Sequence, residues 1–202
     1  NLKFASHAER FSGIKNDPHL SFKLIDYAKQ YGEPDEVVWY ERPFRTTIRQ
    51  FRAGQGWNNK ENNIKHYLES YNINAPIHYY AHHHSHAAAG YYTSNFDNAT
   101  IVCIDSIGEF ETLTFWEGKD NKLKQTYSQG YPHSVGLWYS AMTQRIGLKP
   151  NEDEYILMGM AAYGDPTRLY HDIKNDFIGT SGYAMISIKQ NLHRGCKDWR
   201  LD

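Results

Sequence analysis

Thr100-Ile101-Val102-Cys103-Ile104-Asp105 decides how this chain is read: five residues suited to a pleated, buried surface run without a break into a carboxylate. β-Branched side chains favour extended backbone, and a short continuous apolar run fits a strand covered on both faces. The acid that ends it stands where open α/β sheets hold their ligands, beyond the carboxyl end of a strand. Gly108 and Glu109 follow at once. The glycine lets the backbone turn sharply or approach a phosphate, and Glu109 is a second acid nearby.

Upstream, His82-His83-His84-Ser85-His86-Ala87 holds four of the chain's 11 histidines, and the alanine-rich segment 82–92 predicts a helix. On a helix His82 and His86 stand one turn apart on one face, the spacing at which two imidazoles reach one ion. His78 and His82 share that spacing, but Pro76 and the extended pattern of 77–80 speak against a helix there. A divalent ion also seeks a hard anionic ligand, which Asp105 supplies, so His82, His86 and Asp105 form the candidate set. Two imidazoles and a carboxylate suit Fe, Zn or Mn. Clustered histidines also occur as surface or hydrogen-bonded core residues, and spacing alone leaves that reading open.

Helix and strand patterns alternate over the rest of the chain. A helix is expected over 20–31, stopped by Gly32, and a buried strand over 37–40 between Pro34 and Pro43. A helix over 60–71 and an extended segment 77–80 precede the histidines. Beyond the central strand, 111–116 and 122–127 form a hairpin across Gly118, Asp120 and Asn121. Ser134 caps a helix over 134–146 that Gly147 stops; without a surrounding Gly-x-Ser-x-Gly elbow it is a cap rather than a nucleophile. A further helix covers 153–162, a strand 183–188, and no closing element is visible over 191–202. The pattern is that of an α/β architecture without internal repeats.

Bulk properties exclude several classes. At 202 residues with a formal net charge of -1, the chain has no global positive field for phosphate backbones, so no nucleic-acid partner is expected. Arg42, Arg45, Arg49 and Arg52 have the spacing of one helix face, read here as solvated. No stretch approaches the roughly 20 apolar residues of a membrane span. Cys103 and Cys196 are too few for a disulfide framework and are expected to be reduced, structural residues. No signal peptide is visible, the first residues read as mid-domain sequence, and the cytoplasm is the expected location.

Four ordered motifs resemble those of the O-carbamoyltransferases of nodulation-factor and antibiotic tailoring. They are His82-His83-x-x-His86-Ala87, Asp105-x-x-Gly108-Glu109, Pro132-His133-Ser134-x-Gly136-x-x-Tyr139 and Glu154-Tyr155-x-x-Met158-Gly159-x-Ala161-x-Tyr163-Gly164. Glu9-Arg10-Phe11 with Lys15 resembles the family's first block, and Tyr40-Glu41-Arg42-Pro43 its strand-to-loop exit. The likeness spans most of Ala8 to Gly164 and is weaker from Asn191 to Trp199.

The resemblance implies that residues 1–202 are part of one N-terminal carbamoyltransferase domain of the actin-like, sugar-kinase and heat-shock-protein ATPase superfamily, with a ribonuclease H-like motif and kinship to tRNA threonylcarbamoyl-transfer proteins. A C-terminal domain of another fold, absent here, makes carbamoyl-adenylate from carbamoyl phosphate and ATP, and the N-terminal domain passes the carbamoyl group to a small-molecule hydroxyl. The family's metal, usually iron, is held by both histidines of a His-x-x-x-His motif, a strand-end aspartate and a later aspartate; the first three map onto His82, His86 and Asp105. Lys15 and His133 take the catalytic positions that the resemblance offers, and Gly108, Glu109, Glu154 and Gly159 the nucleotide side. Lys15 also fits an exposed loop, and His133 fits either a general base or a residue that orients the next helix.

Two residues depart from the family pattern: Ser106 replaces a glycine, and Ile156 replaces a lysine and with it a phosphate contact. The family's initial strand and phosphate loop, later glycine-rich motif and fourth metal ligand are not found, so the remainder of the same polypeptide is an expected partner, as is a second copy of the chain. A related threonylcarbamoyl or other acyl transferase, and a non-catalytic nucleotide- or metal-binding module of the same fold, are the alternatives.

Overall fold

Proline, glycine and capping asparagine or serine residues divide the first part of the chain into short elements. The computed structural model describes residues 2–181, 184–192, 195 and 199, and the chain forms two compact units, residues 1–80 and 81–202.

In the first unit, α1 (Glu9–Ser12) is a single turn that ends on Gly13 in the left-handed conformation. Ser21 opens α2 (Phe22–Lys29) by accepting the Leu24 N–H at 3.2 Å, and this helix buries Leu24 and Ile25. β1 (Val37–Trp39) pairs in parallel with β2 (Ile77–Tyr79), Val37 opposite Ile77. Parallel neighbours need a crossover, and two helices supply it. α3 (Pro43–Arg52) starts on a proline whose fixed φ suits the first turn. The helix that the arginine spacing implied is therefore present, but its arginine face is only partly solvated: Arg45 and Arg52 are exposed, Arg49 is half-buried, Arg42 stands half-buried at the N-cap, and Thr46 and Thr47 are buried. Asn62 holds that face, donating to Thr47 Oγ1 at 2.9 Å and to Gln50 Oε1 at 2.7 Å. α4 (Ile64–Glu69) is shorter than the expected 60–71 because the Asn63 side chain caps it, accepting the His66 N–H at 3.2 Å.

The second unit opens with α5 (His82–Tyr92), matching the expected helix end to end. β3 (Asn98–Gly108), β4 (Glu111–Lys119) and β5 (Lys122–Gly130) then form an antiparallel meander in the order β3-β4-β5. These strands outrun the expected ones, since pairing of Asn98 with Lys119 and Lys119 with Lys122 carries the ladder to the turn. Asp120 and Asn121, at φ 50° and 57°, make the two-residue turn whose twist matches that of the strands. α5 lies against β3 and β4 through Ala87, Cys103 and Trp116. Gly118 permits the close approach, because a β-carbon there would stand 2.6 Å from the Tyr91 ring.

α6 (Val135–Arg145) follows and packs on β3. α7 (Glu154–Ala161) comes next, then α8 (Tyr170–Asp176), and β6 (Ile178–Ser181) pairs antiparallel with β7 (Ala184–Ile188). Ala141, Phe177, Ile188 and Leu192 form a second core, with Trp138 against it. Full burial of an aromatic such as Phe177 contributes about 1.5–3 kcal/mol. The expected strand over 183–188 is β7 from Ala184; Tyr183 and Cys196 lie outside the described residues. α8 and β6 were not anticipated.

Candidate metal centre

The first two turns of α5 and the C-terminal part of β3 bring His82, His86 and Asp105 together. His82 Nε2 is 2.8 Å and His86 Nε2 is 3.9 Å from the same carboxylate oxygen, Asp105 Oδ2. The two Nε2 atoms are 3.0 Å apart, and the three donor atoms lie within 4.8 Å of one another. Donors bound about 2.1 Å from one small cation stand roughly 3 Å apart, so this set fits a single ion with small side-chain adjustment. His78 is not on a helix with His82, the condition its spacing would have needed: it belongs to β2 and lies 3.6 Å from Glu36.

Asp105 is prepared as an anion. The hydrogen bond from His82 draws its carboxyl down to about 2, aided by the Ser106 N–H at 2.6 Å and opposed by burial. His86 is the most open of the three side chains, at 57% exposure against 18% for His82. The cluster is accordingly walled on one side and open on the other.

Two glycines explain how such close packing arises. A β-carbon on Gly108 would stand 2.5 Å from the His82 ring and 2.7 Å from the His83 ring, so that strand end must carry glycine for both imidazoles to pack against it. A β-carbon on Gly136 would stand 2.7 Å from Ser106 N and 2.8 Å from the Asp105 carbonyl carbon and oxygen. Gly136 thus lets the start of α6 press on the backbone that carries Asp105. Ser134, expected as an N-cap, accepts the Leu137 N–H at 3.0 Å, and its hydroxyl lies 2.7 Å from the Ser106 carbonyl and 3.1 Å from that of Asp105.

The other candidates are distributed. His133 Nδ1 accepts the Ile188 N–H at 3.2 Å, and its carbonyl accepts from Thr112 at 2.6 Å and Gln129 at 2.8 Å. The ring proton therefore lies on Nε2, the tautomer that donates, and the residue ties β7 to the meander. Glu109, buried at φ 56°, forms the β3–β4 turn. Glu154 joins α6 and α7: although burial pushes its carboxyl up, bonds from Ser140 at 2.6 Å and Asn151 N–H at 2.6 Å hold it below its ordinary value. Gly159 lies exposed within α7 with no atom near an added β-carbon. Lys15 belongs to the first unit, on an exposed turn after α1. Spacing did not single out His83, Thr114, Trp116 or Gly136; the run of four histidines and the resemblance hinted at the first, and only the resemblance at the last.

The family model described as carbamoyltransferase N-terminus matches residues 40–194. An uncharacterized protein of Synechocystis sp. is 32% identical over 80% of this chain and 31% of its own length, and one of Methanocaldococcus jannaschii is 30% identical over 80% and 29%. Nodulation protein NolO of Bradyrhizobium diazoefficiens is 31% identical over 52% of this chain and 19% of its own. The chain thus spans less than a third of the length of these curated relatives. A match that runs through about half of the first unit and most of the second, and encloses His82, His86 and Asp105, makes the chain a member of the carbamoyltransferase N-terminus family.

Proposed function

We propose that this chain is the part of an O-carbamoyltransferase in which His82, His86 and Asp105 hold a divalent metal and assist transfer of a carbamoyl group from carbamoyl-adenylate to the hydroxyl of a small molecule. The observation that carries the reading is the convergence of two imidazole nitrogens on one carboxylate oxygen, 2.8 and 3.9 Å away, at a strand end. An actin-like, ribonuclease H-like fold belongs to the same proposal, supported by the antiparallel β3-β4-β5 meander with a helix packed before and after it.

The acceptor oxygen bonds to the carbamoyl carbon, the bond from that carbon to the bridging oxygen of the adenylate phosphate breaks, AMP departs with that oxygen and the electron pair, and the acceptor's proton is released. A bound divalent ion, iron foremost and zinc or manganese otherwise, supplies Lewis-acid stabilisation of the charge that develops on the acyl or phosphate oxygen. Asp105, ionised well below neutral pH, and the two imidazoles orient around that point. His133, with its proton on Nε2, donates a hydrogen bond rather than withdrawing the acceptor's proton. The β3–β4 turn at Gly108 and Glu109 lines the donor side. Carbamoyl phosphate and ATP reach the reaction through an adenylate-forming domain of the longer polypeptide, in the cytoplasm.

Full-length protein supplied with ATP and radiolabelled carbamoyl phosphate tests this. The label is expected to pass to added hydroxyl compounds in the native protein and to fall at least about 100-fold in His82→Ala and Asp105→Asn, the scale on which single transition-state stabilisers act. Unchanged transfer in both variants would refute the assignment.

A further inference from the structure

Within the histidine run, one member points away from the metal-type cluster and into the protein. His83 is wholly buried, and its Nδ1 lies 2.9 Å from Thr114 Oγ1 on β4. Thr114 is also wholly buried, and its oxygen accepts the indole N–H of Trp116 at 2.8 Å. The His83 carbonyl faces Cys103 Sγ at 3.6 Å, so ring and backbone of the same residue are both fixed, one to β4 and the other to β3. Burial draws the His83 imidazole below its ordinary value, which keeps it neutral and apt for the interior.

This arrangement constrains the residues beside it. His82 and His83 flank Gly108 closely enough that neither ring can swing inward, as the 2.5 and 2.7 Å separations from a β-carbon there show. The rotation of α5 about its own axis decides whether His82 and His86 point at Asp105, because both project from one face. A buried polar contact is an effective stop on that rotation: sliding it apart strips the His83 nitrogen and the Thr114 hydroxyl of their mutual bond beside an apolar layer of Ala87, Cys103 and Trp116, while the indole N–H keeps Thr114 Oγ1 as its acceptor.

We propose that His83 is a positioning residue whose bond to Thr114, backed by Trp116, locks the rotation of α5 so that His82 and His86 share one ion with Asp105. The role rests on the metal reading given above and acts through ligand geometry. Partners of this kind tune metal sites by about 10–100-fold in affinity.

Thr114 provides the separation between positioning and mere packing. Thr114→Ser keeps the hydroxyl and loses a methyl, whereas Thr114→Val keeps the shape and loses the hydroxyl. Both variants of the full-length protein are expected to melt lower than the native protein. Only Thr114→Val should weaken cobalt(II) binding, by about 10–100-fold, with an altered visible d–d spectrum, while Thr114→Ser retains native affinity and spectrum. Where Thr114→Val does not fold, His83→Asn against His83→Leu decides in the same way, the amide standing in for Nδ1. Equal cobalt affinity and spectrum within either pair, with native binding intact, overturns the positioning role and leaves the metal centre standing. Failure of the native protein to bind cobalt overturns both.

Discussion

At the scale of single residues, two side chains carry consequences that can be measured. Asp105 has a carboxyl held near 2 by the His82 hydrogen bond, below its ordinary 3.8. A depressed folded-state value means that the ionised group stabilises the fold above the unfolded value, and that this stability is lost as pH falls from about 4 towards 2. Melting temperatures of native protein and Asp105→Asn are therefore expected to differ at pH 6 and to converge near pH 2. A difference that persists unchanged in acid would show that the bond contributes no linked stability. Gly108→Ala places a methyl where the His82 and His83 rings lie, and overpacking of this kind costs about 1–3 kcal/mol. Chemical denaturation should show that loss, and metal titration should show weaker binding because both rings must retreat.

At the scale of elements, the site depends on how helices meet β3. Gly136→Ala sets a β-carbon against backbone atoms of Asp105 and Ser106, which cannot rotate away as a side chain can, so a loss of about 2–3 kcal/mol or more in denaturant is expected. Gly159→Ala is the counterexample: the position is an exposed helix interior with open space, and the exchange should stabilise by about 0.5–1 kcal/mol. If Gly159 also touches the donor nucleotide, the same variant transfers carbamoyl groups more slowly despite melting higher. α5 and β3 were legible in the sequence because their signals are local: alanine-rich helical spacing in one, and Thr100 to Ile104 as an unbroken strand-forming run in the other. α8 and β6 were not, since Tyr170–Asp176 shows no apolar periodicity and Ile178–Ser181 is held by pairing with β7. The contact between His83 and Thr114 joins residues 31 apart, and no window along the chain contains it.

At the scale of the whole molecule, the candidate ligands were legible because two periodicities happened to expose them, while their convergence depends on tertiary packing. The helix turn aligns His82 with His86, and the strand end presents Asp105; the pressure of α6 through Gly136 and Ser134 sets the depth at which the carboxylate stands. Lys15 lies in the other compact unit, and its assignment rests on family likeness. Among the described residues no helix is long and apolar enough to cross a membrane. α7 presents Tyr155, Met158 and Met160 as exposed apolar side chains, an outer surface quite unlike the polar face of α3.

Metal content tests the central claim most directly. Native full-length protein, stripped by chelator and titrated with manganese, iron(II) or zinc under reducing conditions, is expected to bind one ion per chain and to melt higher when loaded, whereas His82→Ala, His86→Ala and Asp105→Asn each lose that ion and that shift. Stoichiometric binding that survives all three substitutions, or none in the native protein, would contradict the account.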